Sequence, residues 1–128
     1  MAEEKKYKII IVDDDDFLVN MYATKFGLSD VVVEAFKSGR DFLDGVKGGA
    51  KADLLLLDIV MPNMTGLDIL QEIRKEKLLA GVPVIMLTNQ NDEKDISEAK
   101  KFGVAGYIVK SAATPSEVVS EVMRVLKN

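Results

Sequence analysis

Asp13, Asp14, Asp58, Thr88 and Lys110 share one local feature: each stands at the end of a short apolar run, at 8–12, 54–57, 84–87 or 106–109. Three carboxylates, a hydroxyl and an ammonium are a restricted set of tools. If the chain gathers them, the carboxylates cannot all stay ionised without a counter-charge. With no His and no Cys in the sequence, the ligands on offer are oxygens. That donor set suits a hard divalent ion, and a few carboxylates with the other positions left to water and a substrate phosphate is the Mg²⁺ pattern. An EF-hand calcium loop needs spaced acids, a Gly and a terminal Glu, whereas the acids at 13–16 are contiguous. Carboxylate, Mg²⁺, lysine and hydroxyl together make a phosphoryl-transfer set. An ionised Asp needs no general base to attack phosphorus, so the acceptor can be the protein itself.

Taken singly, these residues have plainer explanations. An acidic run ahead of a helix is ordinarily a solvated N-terminus favoured by the helix dipole. A lone lysine is usually a surface residue, and a Thr or Asp after a strand is usually turn chemistry. Their joint occurrence at four strand ends argues for a site.

The elements that must position them follow from periodicity. The run 8–12 is rich in consecutive β-branched apolar residues, Ile9 to Val12, which suits a strand covered on both faces. Phe17, Leu18, Met21, Tyr22 and Phe26 recur at helical spacing, with Asp16 as N-cap and Gly27 as C-terminal stop. Residues 31–35 form a second strand, and Ser38 caps a helix through Phe42, Leu43 and Val46 that ends at Gly48 and Gly49. The four leucines at 54–57 read as a strand despite their helix propensity, because the run is short and bounded by charge. Turn residues at 61–66 lead to a helix with Leu67, Ile69, Leu70 and Ile73, closed by Gly81 and Pro83. Strand four at 84–87 precedes a helix from Asp92 to Phe102. Strand five at 106–109 precedes a last helix with Thr114 as N-cap, Pro115 first and Glu117 completing a capping box. Five βα units in series imply an α/β fold, a doubly wound five-stranded parallel sheet whose ligands sit beyond the carboxyl ends of the strands.

At 128 residues and 48% hydrophobic, the sequence is sized for a single domain spanning 1–128. Its net charge of −4 argues against direct nucleic-acid binding and against anionic membranes. The polar start and the lack of any apolar run near ~20 residues give no targeting or membrane-inserting segment. A cytoplasmic location is the expectation. The two missing residue types also exclude disulfides, thiol nucleophiles, Ser-His-Asp triads and ordinary zinc sites.

The sequence resembles the receiver domain of two-component response regulators over nearly its whole length, in the single-domain, chemotaxis-regulator-like form without an effector domain. The matching stretches are Ile-Ile-Ile-Val-Asp-Asp at 9–14, Leu-Leu-Leu-Leu-Asp-Ile-Val-Met-Pro-Asn-Met-Thr-Gly at 54–66, Val-Ile-Met-Leu-Thr at 84–88 and Gly-Tyr-Ile-Val-Lys at 106–110. The resemblance implies the flavodoxin-like (βα)5 arrangement with strand order 2-1-3-4-5. It implies that Asp58 is the phospho-acceptor, that Asp14, Asp58 and the Val60 backbone carbonyl bind Mg²⁺, and that Asp13 acts through water. Lys110 would pair with the phosphoryl oxygens, Thr88 would hydrogen-bond them, and Tyr107 would turn from an exposed to a buried rotamer. Val60 and Gln90 would tune dephosphorylation. The donor would be a sensor histidine kinase or a histidine phosphotransfer protein in a two-component or phosphorelay pathway, meeting helix one around Phe17, Met21 and Lys25. A downstream protein target would meet the face of helix four, strand five and helix five. On this reading the chain is a signalling switch that catalyses its own phosphorylation and dephosphorylation, not a conventional enzyme. One departure is Ser111, where the family usually carries proline after the lysine.

Three other readings make distinct demands. A Mg²⁺-dependent phosphatase with an Asp nucleophile would want a second acid two residues on, where Val60 stands. A flavodoxin-like electron carrier would need a phosphate cradle where four aspartates lie. A receiver-like interaction module that is never phosphorylated would have no use for the intact acceptor, acids, Thr and Lys.

Overall fold

Strands and helices alternate along the chain; the apolar runs at 9–12, 54–57 and 84–87 are buried by helices on both sides, while the edge strands Val31–Phe36 and Gly106–Val109 are partly exposed. The computed structural model describes residues 7–89 and 93–128. In chain order the elements are β1 (Tyr7–Val12), α1 (Asp16–Gly27), β2 (Val31–Phe36), α2 (Gly39–Lys47), β3 (Leu54–Asp58), α3 (Gly66–Lys75), β4 (Val84–Thr88), α4 (Glu93–Lys101), β5 (Gly106–Val109) and α5 (Pro115–Leu126), with one 3-10 turn at Lys110–Ala112 before α5. The strands are parallel in the order β2-β1-β3-β4-β5. This is the flavodoxin-like topology that the family resemblance implies.

Side chains leave a strand alternately to either face, so the sheet divides the core in two. Ile10, Val12, Leu55, Leu57, Val84 and Met86 pack with Phe42, Ile69, Leu70 and Ile73 beneath α2 and α3. Ile9, Ile11, Leu54, Leu56, Ile85 and Leu87 pack with Tyr22, Phe26, Val118 and Val122 beneath α1 and α5. All four leucines of β3 are fully buried, each worth about 1.5–3 kcal/mol of transfer free energy. That gain overrides their helix propensity and fixes β3 at the centre of the sheet.

Local chemistry sets the helix ends. Ser38 accepts from the Asp41 amide at 3.1 Å, and Thr114 with Glu117 forms the expected reciprocal box. Thr65 and Asp68 form a second box at the start of α3, in a segment whose sequence reads only as turn.

Three details of the sequence reading are corrected. The N-cap of α1 is Asp15, whose carboxylate accepts from the Leu18 amide at 3.1 Å, and Asp16 is instead the first helical residue, paired with Lys37. Gly27 does not stop that helix in a left-handed conformation; the chain turns beyond it, with Asp30 at φ 59°. Phe17 belongs to the helical apolar pattern but is 77% exposed, while Val19, omitted from that pattern, is buried. The start of α4 at Asp92 lies outside the described residues.

Candidate functional site

Because β2 and β3 lie on opposite sides of β1, the chain reverses its direction of growth there, and a crevice opens beyond the carboxyl ends of β1 and β3. Asp13 continues β1 by one residue, its amide donating to the Phe36 carbonyl at 3.1 Å. Asp58 ends β3 in register with Leu87. Asp13, Asp14 and Asp58 each place a carboxylate oxygen within 4.8 Å of the others, so the three acids marked by the sequence do converge. Lys110 arrives from the far side of the sheet, past β5.

Its ammonium sits 2.7 Å from Asp13 Oδ2 and 3.1 Å from Asp58 Oδ1. All three side chains are nearly out of solvent, at 11% exposure for Lys110, 0% for Asp13 and 2% for Asp58. Asp13 uses both oxygens, since Oδ1 also accepts from the Asp15 amide at 3.0 Å. Asp58 is less well served: Oδ1 is buried and receives no properly directed hydrogen bond despite the nearby ammonium. Burial pushes the Asp58 carboxyl up to about 6, the charge on Asp13 adds to this, and Lys110 only partly opposes it. For Lys110, burial alone would favour the neutral amine, but its contacts with Asp13 and Asp58 outweigh that and hold its pKa above the ordinary lysine value.

The site thus has one ammonium for three carboxylates and a buried, underbonded acceptor oxygen. A hard divalent cation answers both deficiencies, and the all-oxygen donor set suits it. Among the described residues, no backbone amide donates to the Val60 carbonyl, which leaves that oxygen available as well. The Val60 side chain itself is exposed.

Thr88 is buried at the end of β4 and pairs in register with Val109, the residue before Lys110. Tyr107 is 41% exposed on β5, its ring 5.9 Å from the Lys100 ammonium, so it stands in the outward position. Gln90 lies outside the described residues.

Two positioning residues escape the sequence reading. Gly66 opens α3 directly against the end of β3: a Cβ there would collide with the Asp58 carbonyl oxygen, and its amide donates to the Ile59 carbonyl at 2.9 Å. In the sequence Gly66 reads only as turn chemistry, and no periodicity marks the contact. Asp15 is the second, since its amide fixes Asp13 while its carboxylate caps α1.

Comparison with known proteins agrees with this architecture. The family model for the response regulator receiver domain matches residues 9–122. Response regulator SaeR of Staphylococcus aureus is 31% identical over 118 residues, covering 92% of this chain and 50% of that protein. The chain spans about half the length of the curated relatives it matches. Among solved structures, the chemotaxis protein CheY4 of Vibrio cholerae superposes with a TM-score of 0.84 at 26% identity, covering 94% of this chain and 99% of that one. Response regulator DrrB of Thermotoga maritima gives 0.81 at 25% identity, covering 96% and 54%. A match over residues 9–122, from within β1 through most of α5, places the chain in the response regulator receiver domain family.

Proposed function

We propose that this chain is a phospho-accepting receiver in a two-component or phosphorelay pathway, with Asp58 as the acceptor. The observation that carries the reading is the buried, underbonded Asp58 Oδ1 beside an ammonium that it shares with Asp13.

In the reaction an Asp58 carboxylate oxygen attacks phosphorus, a P–O bond forms, and the bond from phosphorus to the donor nitrogen breaks with its electron pair leaving on the donor. Water later cleaves the acyl phosphate, which returns the carboxylate and releases inorganic phosphate. Asp14, Asp58 and the Val60 carbonyl would hold Mg²⁺, while Asp13, with both oxygens already engaged, acts through water. The ion, when bound, supplies positive charge against the carboxylates and the transferring phosphoryl oxygens. Lys110 moves its ammonium from the carboxylates to those oxygens. Thr88 donates its hydroxyl to the product phosphoryl group, and the inward shift of its loop gives Tyr107 room to turn in. That is a population shift driven by an added charge of about −1.5 to −2. Val60 and Gln90 tune the approach of the hydrolysing water.

A phosphohistidine donor has to come from another protein, because this chain has no histidine. A sensor histidine kinase or a histidine phosphotransfer protein fits, docking where Phe17 and Val60 stand exposed beside the acids. A downstream protein meets the face of α4, β5 and α5. We place this work in the cytoplasm, carried out by residues 1–128 as one receiver unit. Among the described residues no helix is long and apolar enough to cross a membrane. The phosphatase alternative lacks its second acid, since Val60 stands two residues beyond Asp58.

Intact-mass spectrometry after incubation with Mg²⁺ and acetyl phosphate tests the proposal. One added phosphoryl group is expected, absent with EDTA and absent in Asp58→Asn. An adduct that survives that substitution overturns the acceptor assignment, and no adduct on the wild-type protein overturns the phospho-accepting reading.

A further inference from the structure

We propose that Ser111 is a positioning residue for chemistry at Asp58, a latch whose hydroxyl fastens the loop carrying Lys110 to the loop carrying Thr88. The inference rests on the reading of Asp58 as phospho-acceptor. The backbone ladder between β4 and β5 runs from Ile85 opposite Gly106 to Thr88 opposite Val109 and goes no further. Past Val109 the chain leaves the extended conformation for the 3-10 turn at Lys110–Ala112, which has no side-chain cap. The pairing nevertheless gains one more link, because the Ser111 hydroxyl donates to the Asn89 carbonyl at 3.3 Å.

The link has direct covalent neighbours in the site. Asn89 follows Thr88, and Ser111 follows Lys110, whose ammonium lies 2.7 Å from Asp13 and 3.1 Å from Asp58. The two groups that must converge on a phosphoryl group from opposite loops are therefore tied one residue away from each. Ser111 and Asn89 are both exposed, so water replaces the bond when the hydroxyl is removed, and the fold does not depend on it. What is lost is the registration of one loop against the other. Asp14, Asp58 and the Val60 carbonyl, the groups that would hold a metal, lie on neither loop, so the latch does not position them directly.

The experiment measures phosphorylation by acetyl phosphate in the wild-type protein, Ser111→Ala and Ser111→Thr, across donor and Mg²⁺ concentration. Loss of one such bond predicts a roughly two- to tenfold lower rate at saturating donor in Ser111→Ala. The half-saturating Mg²⁺ should be unchanged, the rate should recover in Ser111→Thr, and the Thr88 and Asn89 amide resonances of unphosphorylated Ser111→Ala should shift. A wild-type rate in Ser111→Ala, an equal loss in both variants, or a parallel loss of Mg²⁺ affinity overturns the latch. If the wild-type protein takes no phosphoryl group at Asp58, the parent reading fails and the latch falls with it, whereas a normal wild-type adduct with an unaffected Ser111→Ala refutes the latch alone.

Discussion

Replacing Asp58 by asparagine should make the metal-free protein more stable, and by an amount that depends on pH. The Asp58 carboxyl is displaced from 3.8 to about 6, with burial as the main cause. A shift of about two units corresponds to about 3 kcal/mol of differential stabilisation of the protonated form. Only 2% of this side chain is exposed, so solvent screening does not reduce that figure much. The sign follows from proton linkage: between pH ~4 and ~6 the folded protein binds more protons at this group than the unfolded chain, so wild-type stability falls as pH rises through the window. A carboxamide in its place would be neutral and of similar shape, and would have no such dependence. In urea unfolding with EDTA, wild-type and Asp58→Asn should be nearly equal at about pH 4, and the variant should lead by about 3 kcal/mol at pH 7. Comparing the two at each pH cancels the titration of carboxylates remote from Asp58. Adding Mg²⁺ should then raise the wild-type protein, by about 2.7 kcal/mol at a hundred times its dissociation constant, and raise the variant less. A difference that does not change with pH, or a variant less stable than wild type at pH 7 in EDTA, would refute the electrostatic account of the site.

Other consequences follow from the same geometry. Lys110→Ala leaves two buried carboxylates without their ammonium, so a loss of about 3–5 kcal/mol is expected in EDTA by urea unfolding, partly recovered by Mg²⁺. Gly66→Ala drives a methyl group into the Asp58 carbonyl, so it should cost about 1–3 kcal/mol and also slow phosphorylation, read by thermal melting and by intact mass. Thr114→Ala, which removes the cap of α5 well away from the acids, should cost about 1 kcal/mol while phosphorylation at saturating donor stays at the wild-type rate.

The sheet was legible in the sequence because burial on both faces demands unbroken apolar runs, and those at 9–12, 54–57 and 84–87 are unmistakable. The residues just past the strands were legible for a topological reason: in a doubly wound sheet the strand ends are where the site must be, and Asp13, Asp14, Asp58, Thr88 and Lys110 occupy them. What stayed hidden depends on approach in three dimensions. Gly66 is a turn residue until α3 is laid against Asp58, and Ser111 is an ordinary polar residue until β4 lies beside β5. Even the N-cap of α1 shifted by one residue, because four consecutive aspartates offer equivalent capping groups and only backbone geometry selects Asp15. Phe17 follows the helical period but faces outward, while Val19 of the same first turn is buried.

The contact between Lys110 and Asp13 joins residues 97 positions apart, and Asp58 enters the same cluster from mid-chain. A site stitched together from such distant segments cannot form on any local fragment, because loop closure has to be completed across β1, β3, β4 and β5 first. Until β5 docks, Asp13 and Asp58 lack the Lys110 ammonium that they share in the finished fold. On the proposed function, competence to accept a phosphoryl group is a property of the finished fold, and a signalling partner would meet either a complete switch or none.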